Sequence, residues 1–137
     1  MKNSKFLIAI ILFFGSLSCD KDDSPYYTEF VKGEYEGIFY RTHPNMFYTP
    51  AVVALTFRDS TFEGTKSNRE FPSICHGLYE LVEDEIIFQD HCSWTADFDW
   101  RYILNGTFTV QIHDDKLYLI RDYGDDSYDT YELTLVQ

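Results

Sequence analysis

The sequence predicts an all-β domain, a single antiparallel up-and-down meander of about eight strands closing into a small barrel. Three observations carry that expectation. Apolar residues recur at every second position through most of the chain, the period of a half-buried strand, and no long 3.6-residue pattern occurs. Aromatic residues make up 18% of the chain, with 12 Phe and 11 Tyr, and such side chains suit a pleated sheet. Short polar breaks at Asp59-Ser60, Glu83-Asp84 and Asp114-Asp115 fall at hairpin spacing.

The chain opens with a leader. Lys2 and Lys5 precede an unbroken nine-residue apolar run, Phe6 to Phe14, and Gly15, Ser16 and Ser18 lead to Cys19. Nine residues span about 13 Å as helix, against roughly 30 Å for a bilayer core, so the layout predicts a signal peptide over 1–18 and no retained anchor. Ser16-Leu17-Ser18-Cys19 resembles a bacterial lipobox, with Leu17 one place later than the usual pattern, and Cys19-Asp20-Lys21-Asp22-Asp23 resembles the surface-export signal of Bacteroidota-type lipoproteins. That resemblance implies a diacylated Cys19, an outer-membrane protein exposed at the cell surface, and a polar tether over 19–30. More than one acyl chain on one cysteine gives stable anchoring. Ordinary cleavage leaving a free Cys19 is the alternative.

The barrel domain is expected over 31–137. Its first strand is 31–41, where Tyr35, Gly37 and Phe39 share a face and Gly33 and Gly37 permit coiling or close approach. Residues 42–49 form a loop whose Met46, Phe47 and Tyr48 are apolar enough to plug a barrel end or touch a ligand. Strands 50–58 and 61–66 make a hairpin about Asp59-Ser60 with Phe57 and Phe62 as same-face neighbours. Asp59-Ser60-Thr61 also resembles the O-glycosylation acceptor of such bacteria, and a plain turn is the alternative. Residues 67–73 are a polar loop.

The central hairpin carries the most specific geometry. With Glu83-Asp84 as its loop, paired residue numbers sum to 167, and Cys75 and Cys92 fall opposite each other. Seven steps from the closing pair is a non-hydrogen-bonded position, where Cα atoms about 4.5 Å apart admit a disulfide. Export and acylation of Cys19 leave these two cysteines as an even pair in an oxidising compartment. Tyr79, Leu81, Ile86 and Phe88 share their face, which predicts a bridge on the core side. A metal site from Cys75, His76, His91 and Cys92 is the rival. Adjacent strand residues point to opposite faces, so the reading has no metal and sets His76 beside His91 on the polar face.

From Ile86 to Ile112 every even position except Asp90 is apolar, aromatic, Gly or Cys. This predicts one long strand carrying Phe88, Trp94, Phe98 and Trp100 on the core face, turning back through a three-residue loop, Leu104 to Gly106. Strands over 116–122 and 128–136 follow. The acidic residues Asp122, Asp125, Asp126 and Asp129 lack the spacing of a Ca²⁺ loop and are expected as a solvated turn.

The Gly33-Glu34-Tyr35 opening resembles the Gly-x-aromatic start of lipocalin- and avidin-like barrels. The overall layout resembles small lipocalin-like (calycin-type β-barrel) surface lipoproteins of Bacteroidota-type bacteria. An eight-stranded barrel is either filled by side chains or holds one small ligand, so fold alone does not assign function. The first reading is a barrel binding a small apolar or aromatic ligand, lined by Tyr35, Phe39, Tyr79, Phe88, Trp94, Phe98 and Trp100, with core packing as the alternative role for each. The second is a non-enzymatic accessory or inhibitor-like protein of the envelope, working through loops 42–49 and 67–73 and its acidic face. The net charge of −12 becomes −14 once Lys2 and Lys5 leave with the leader, 9 basic against 23 acidic side chains, a surface that repels nucleic acid. No cofactor is expected. Enzymatic activity is not expected either. Asp97 and Asp99 resemble a glycosidase carboxylate pair only in spacing, and no Ser-His-Asp or Cys-His set is visible.

Overall fold

The computed structural model describes residues 29–96 and 99–136, so Cys19, Asp97 and Phe98 lie outside the described residues. Eight antiparallel strands form a closed up-and-down barrel: β1 (Gly33–Thr42), β2 (Ala51–Phe57), β3 (Thr61–Lys66), β4 (His76–Val82), β5 (Glu85–Asp90), β6 (Gly106–His113), β7 (Lys116–Asp122) and β8 (Tyr128–Leu135). Closure is made by β1 against β8, with Tyr35 opposite Leu135 and Arg41 opposite Asp129. Closing the barrel leaves no open sheet edge.

Alternation places one face of every strand inside. Tyr35 and Phe39, Val53, Leu55 and Phe57, Phe62, Tyr79, Ile86 and Phe88, Phe108 and Val110, Leu117 and Leu119, and Tyr131 and Leu133 form one buried cluster. Phe88 touches Phe57, Phe62 and Phe108 at ring-centroid distances of 6.2, 4.9 and 5.6 Å, and Phe39 meets Tyr131 at 4.9 Å. These rings interdigitate in tilted and edge-to-face pairs across the middle of the barrel. Gly37 lets β1 approach β8, because a Cβ there would lie 1.9 Å from the Glu132 carbonyl oxygen.

The two ends are built differently. At one end are the three tight turns, after β2, β4 and β6, together with the entry of the chain into β1. Phe30 closes this end, packing on Phe57 at 5.0 Å and Tyr79 at 5.7 Å, so it belongs to the core and not to the tether. At the other end are the four longer connections, 43–50, 67–75, 91–105 and 123–127. Phe71 closes that end, stacked on Tyr102 at 5.4 Å and touching Phe39 and Tyr48, with Ile74 and Leu104 buried beside it. Segment 67–75 is joined to segment 91–105 by backbone bonds, Ser73 N–H to Tyr102 O at 2.7 Å and Leu104 N–H to Ser73 O at 2.9 Å.

The turns at Asp59-Ser60, Glu83-Asp84 and Asp114-Asp115 stand where the sequence sets them, and Phe57 pairs with Phe62. The long strand through Ile112 does not form. β5 ends at Asp90, residues 91–96 and 99–105 lie outside the strands, and Trp100–Tyr102 is a 3₁₀ turn capped by the Asp99 carboxylate. Asn105-Gly106 is therefore no hairpin turn, although Gly106 does take a positive φ of 84°. The alternation continued by coincidence of parity, since a single period-two series runs across both β5 and β6 and hides the break between them.

Candidate functional site

The central hairpin keeps its expected register, with Gly77 opposite Asp90 and Val82 opposite Glu85, and the Cys75–Cys92 disulfide closes it. Its surroundings differ from expectation. The cysteines lie two steps beyond the last ladder pair, at a Cα separation of 6.3 Å, and both are half-buried. Cys75 stands just outside β4, and the ring of His76, the first residue of that strand, turns back on the bridge, with Nδ1 3.3 Å from both sulfur atoms. Parity separates Cys75 from His76 only where both sit in a strand. His91 donates its N–H to the His76 carbonyl at 3.0 Å, and both histidines are exposed.

Tyr35, Phe39, Tyr79 and Phe88 are buried in the core, where their rings meet other rings. The polar tips of two of them are satisfied locally. Tyr35 OH donates to the Val31 carbonyl and Tyr79 OH to the Arg58 carbonyl, each at 2.6 Å. Trp94 and Trp100 do not join them, because the strand that would have carried them is a loop. Trp94 is half-buried and donates Nε1–H to Asp90 Oδ2 at 2.6 Å, while Trp100 is 60% exposed. Asp99 holds Arg101 through two side-chain bonds of 3.0 and 3.2 Å, and that hydrogen-bonded pairing keeps its carboxyl below the usual carboxylate range.

The chemistry-bearing cluster is at the loop end. Arg41 on β1 and Asp129 on β8 point inward, and their side chains are 5% and 4% exposed. Arg41 donates Nε–H to Asp129 Oδ1 at 2.5 Å and Nη2–H to Asp129 Oδ2 at 2.7 Å, a bidentate pair. Nη2 also donates to the Arg101 carbonyl at 2.9 Å and to Tyr123 OH at 3.1 Å, and Tyr123 OH donates to Asp129 Oδ2 at 2.7 Å. The guanidinium lies 4.4 Å from the Tyr102 ring centre. Burial works against this charge, but the bonds and attraction of Asp129 outweigh it and leave Arg41 more firmly protonated than a free arginine. Arg121 covers the Phe108 ring at 4.1 Å and donates to the Asn105 carbonyl and to Tyr123 OH.

Above this cluster opens a pocket of about 70 Å³ lined by Arg41, His43, Met46, Tyr48, Arg101, Tyr123, Asp125 and Ser127. Of the apolar residues in loop 42–49, Tyr48 helps to plug the barrel, whereas Met46 and Phe47 stand exposed, Phe47 fully so at 108%. Asp129 is thus no member of a solvated acidic turn. The sequence carries a signal for it. Arg41 continues the odd-numbered apolar series Tyr35, Gly37 and Phe39, and Asp129 shares the parity of Tyr131, Leu133 and Leu135. A charge on each buried face, on two strands that must meet to close a barrel, marks a buried pair. No protein-family model, curated protein or solved structure matches this chain.

Proposed function

We propose that this chain is a lipid-anchored protein of the cell envelope, held at the outer membrane through Cys19 with its barrel displayed on the surface. In this reading the lipocalin-like barrel is a scaffold, and its loop end engages a protein partner without catalysis. The carrying observation is the contrast between a filled interior and an elaborated loop end. Phe39, Phe57, Phe62, Phe88, Phe108 and Tyr131 are each at most 2% exposed and pack ring to ring. This packing favours an interaction protein over one that carries a small apolar ligand inside. The polypeptide enters β1 at the tight-turn end, so a tether ending there directs the loop end away from the membrane. That end presents Met46, Phe47 and Trp100, exposed apolar side chains of the kind that anchor interfaces.

A photo-crosslinking residue placed at Phe47 in intact cells of the native host is expected to capture a discrete protein, and one placed at Asp114 is not. Absence of capture at Phe47, or equal capture at both, removes the partner reading. Anchoring is tested separately. The N-terminal peptide is expected to carry acyl chains on Cys19, and Cys19→Ala is expected to release the protein from the membrane fraction.

A further inference from the structure

We propose that the loop-end pocket is a receptor for a carboxylate group. Its volume of about 70 Å³ is far below the roughly 300 Å³ of a site enclosing a whole small molecule, so it admits a functional group whose carrier remains outside.

The walls select the group. Arg41 is held rigidly by Asp129, the Arg101 carbonyl and Tyr123 through Nε and Nη2, while its Nη1 makes no hydrogen bond to any described residue. Ser127 is 5% exposed, and its buried hydroxyl has no partner among the described residues, although its N–H is bound by Asp125 Oδ1 at 3.2 Å. A buried hydroxyl without a partner is destabilising unless something supplies one. His43 accepts the Asn45 N–H on Nδ1 at 3.1 Å, so its neutral ring carries the proton on Nε2 as a donor. Arg101 clamps Asp99 with Nε and Nη2 and likewise leaves Nη1 unbonded among the described residues.

Most acceptors nearby are already engaged, Asp125 Oδ2 excepted. Tyr123 OH takes bonds from Arg41 and Arg121, and Asp125 Oδ1 accepts the Ser127 N–H. Apart from Asp125 Oδ2, the unused capacity in the pocket is donor or hydroxyl, and its complement is a small group rich in acceptors. Charge points the same way. Three of the five arginines in this acidic sequence, Arg41, Arg101 and Arg121, gather at this end. Asp129 neutralises Arg41 and Asp125 stands on the pocket wall, so recognition rests on matched hydrogen bonds more than on net attraction. The inference rests on the loop end being the working end of the protein. It names the group a partner would insert there, either a peptide carboxylate or that of a free small acid.

The test is an amide and arginine side-chain NMR titration of the full-length protein in detergent with acetate, N-acetylglycine, N-acetylglycinamide and inorganic phosphate at constant ionic strength. Saturable shifts at Tyr123, Gly124 and Ser127 are expected with both carboxylates and not with the amide. Tighter binding of N-acetylglycine than of acetate assigns a peptide source, and equal binding a free acid. Ser127→Ala is expected to weaken binding about three- to ten-fold, the worth of one hydrogen bond, without lowering thermal stability. No saturable shift at the loop end, an equal response to the amide, tighter binding of phosphate, or unchanged affinity in Ser127→Ala each overturns the proposal. Capture of a partner from Phe47 without carboxylate binding defeats this inference alone. Carboxylate binding without capture defeats the partner reading alone.

Discussion

The two ends of this barrel solve the same problem, closing a tube of side chains, with opposite chemistry. At the tight-turn end the inward positions are apolar or aromatic, and Phe30 caps them by ring packing on Phe57 and Tyr79. At the loop end the inward positions of β1, β7 and β8 are Arg41, Arg121 and Asp129, closed by tyrosines and by segments 67–75 and 91–105. Apolar closure is non-directional and tolerates variation in side-chain shape. A buried ion pair is directional and harsh on single losses, because removing one member strands the other in a poorly solvated site. The end with the harsher chemistry is also the end with the long loops. A charged mouth fixes the positions of Tyr48, Tyr102 and Tyr123, and so gives otherwise irregular segments a rigid floor.

The comparison can be stressed at four points, in descending order of effect. Alkali acts on both ends at once. Burial raises the phenols of Tyr35 and Tyr79 near one end and of Tyr102, Tyr123 and Tyr131 near the other above their ordinary value of 10.0. Since the folded-state values are the higher ones, the stability due to these neutral phenols is intact below about pH 10 and is lost as pH rises beyond it. Phenolate absorbance is expected to rise in two stages, the later one together with loss of the circular dichroism of the sheet. A single stage near pH 10 with the fold intact would contradict their burial.

At the loop end, Asp129→Ala is expected to cost about 3–5 kcal/mol in denaturant unfolding, because Arg41 is left unpaired. The double variant Arg41→Met, Asp129→Leu is expected to recover most of that loss. If the double variant is as unstable as the single one, the pair is not an isolated charge problem and the contrast between the ends weakens. Replacing Cys75 and Cys92 by serine, which opens a loop of 16 intervening residues, is expected to cost on the order of 3 kcal/mol by chain entropy. Proteolysis in 91–105 would be the sensitive readout, since the bridge ties that excursion to β4. At the tight-turn end, Asp114 and Asp115 hold φ values of 52° and 59°, the left-handed pair of a two-residue hairpin. Asp115→Gly is expected to raise stability by about 0.5–1 kcal/mol, since glycine adopts that conformation without a Cβ penalty. A loss of stability there would show that the Asp115 side chain contributes more than its backbone strain removes.

The tight-turn end was legible from residue order because each of its features is local. A polar dipeptide between two alternating runs sets a hairpin, the hairpin sets the register, and that register, carried along the strands to the loop end, put Cys75 opposite Cys92. The loop end was not legible in the same way. Segment 91–105 carries apolar residues at even positions, yet Trp100 points outward, because one turn of 3₁₀ helix capped by Asp99 breaks the alternation without a proline or glycine to announce it. Phe71, placed in a loop read as polar, closes the barrel through contacts with Phe39, Tyr48 and Tyr102, residues far from it in sequence.

Alternation, turn dipeptides and cysteine spacing thus determined the all-β class, the meander, the core-facing residues of most strands and the disulfide. All of these depend on neighbours a few residues apart or on hairpin symmetry. Only the tertiary structure decided that aromatic rings pack across the barrel interior, that Arg41 meets Asp129 88 positions away, and that Ser127, whose buried hydroxyl has no partner among the described residues, lines a small pocket. The physical reason is closure. Until β1 is laid against β8, nothing in the order of residues says how much interior remains or which charges must share it.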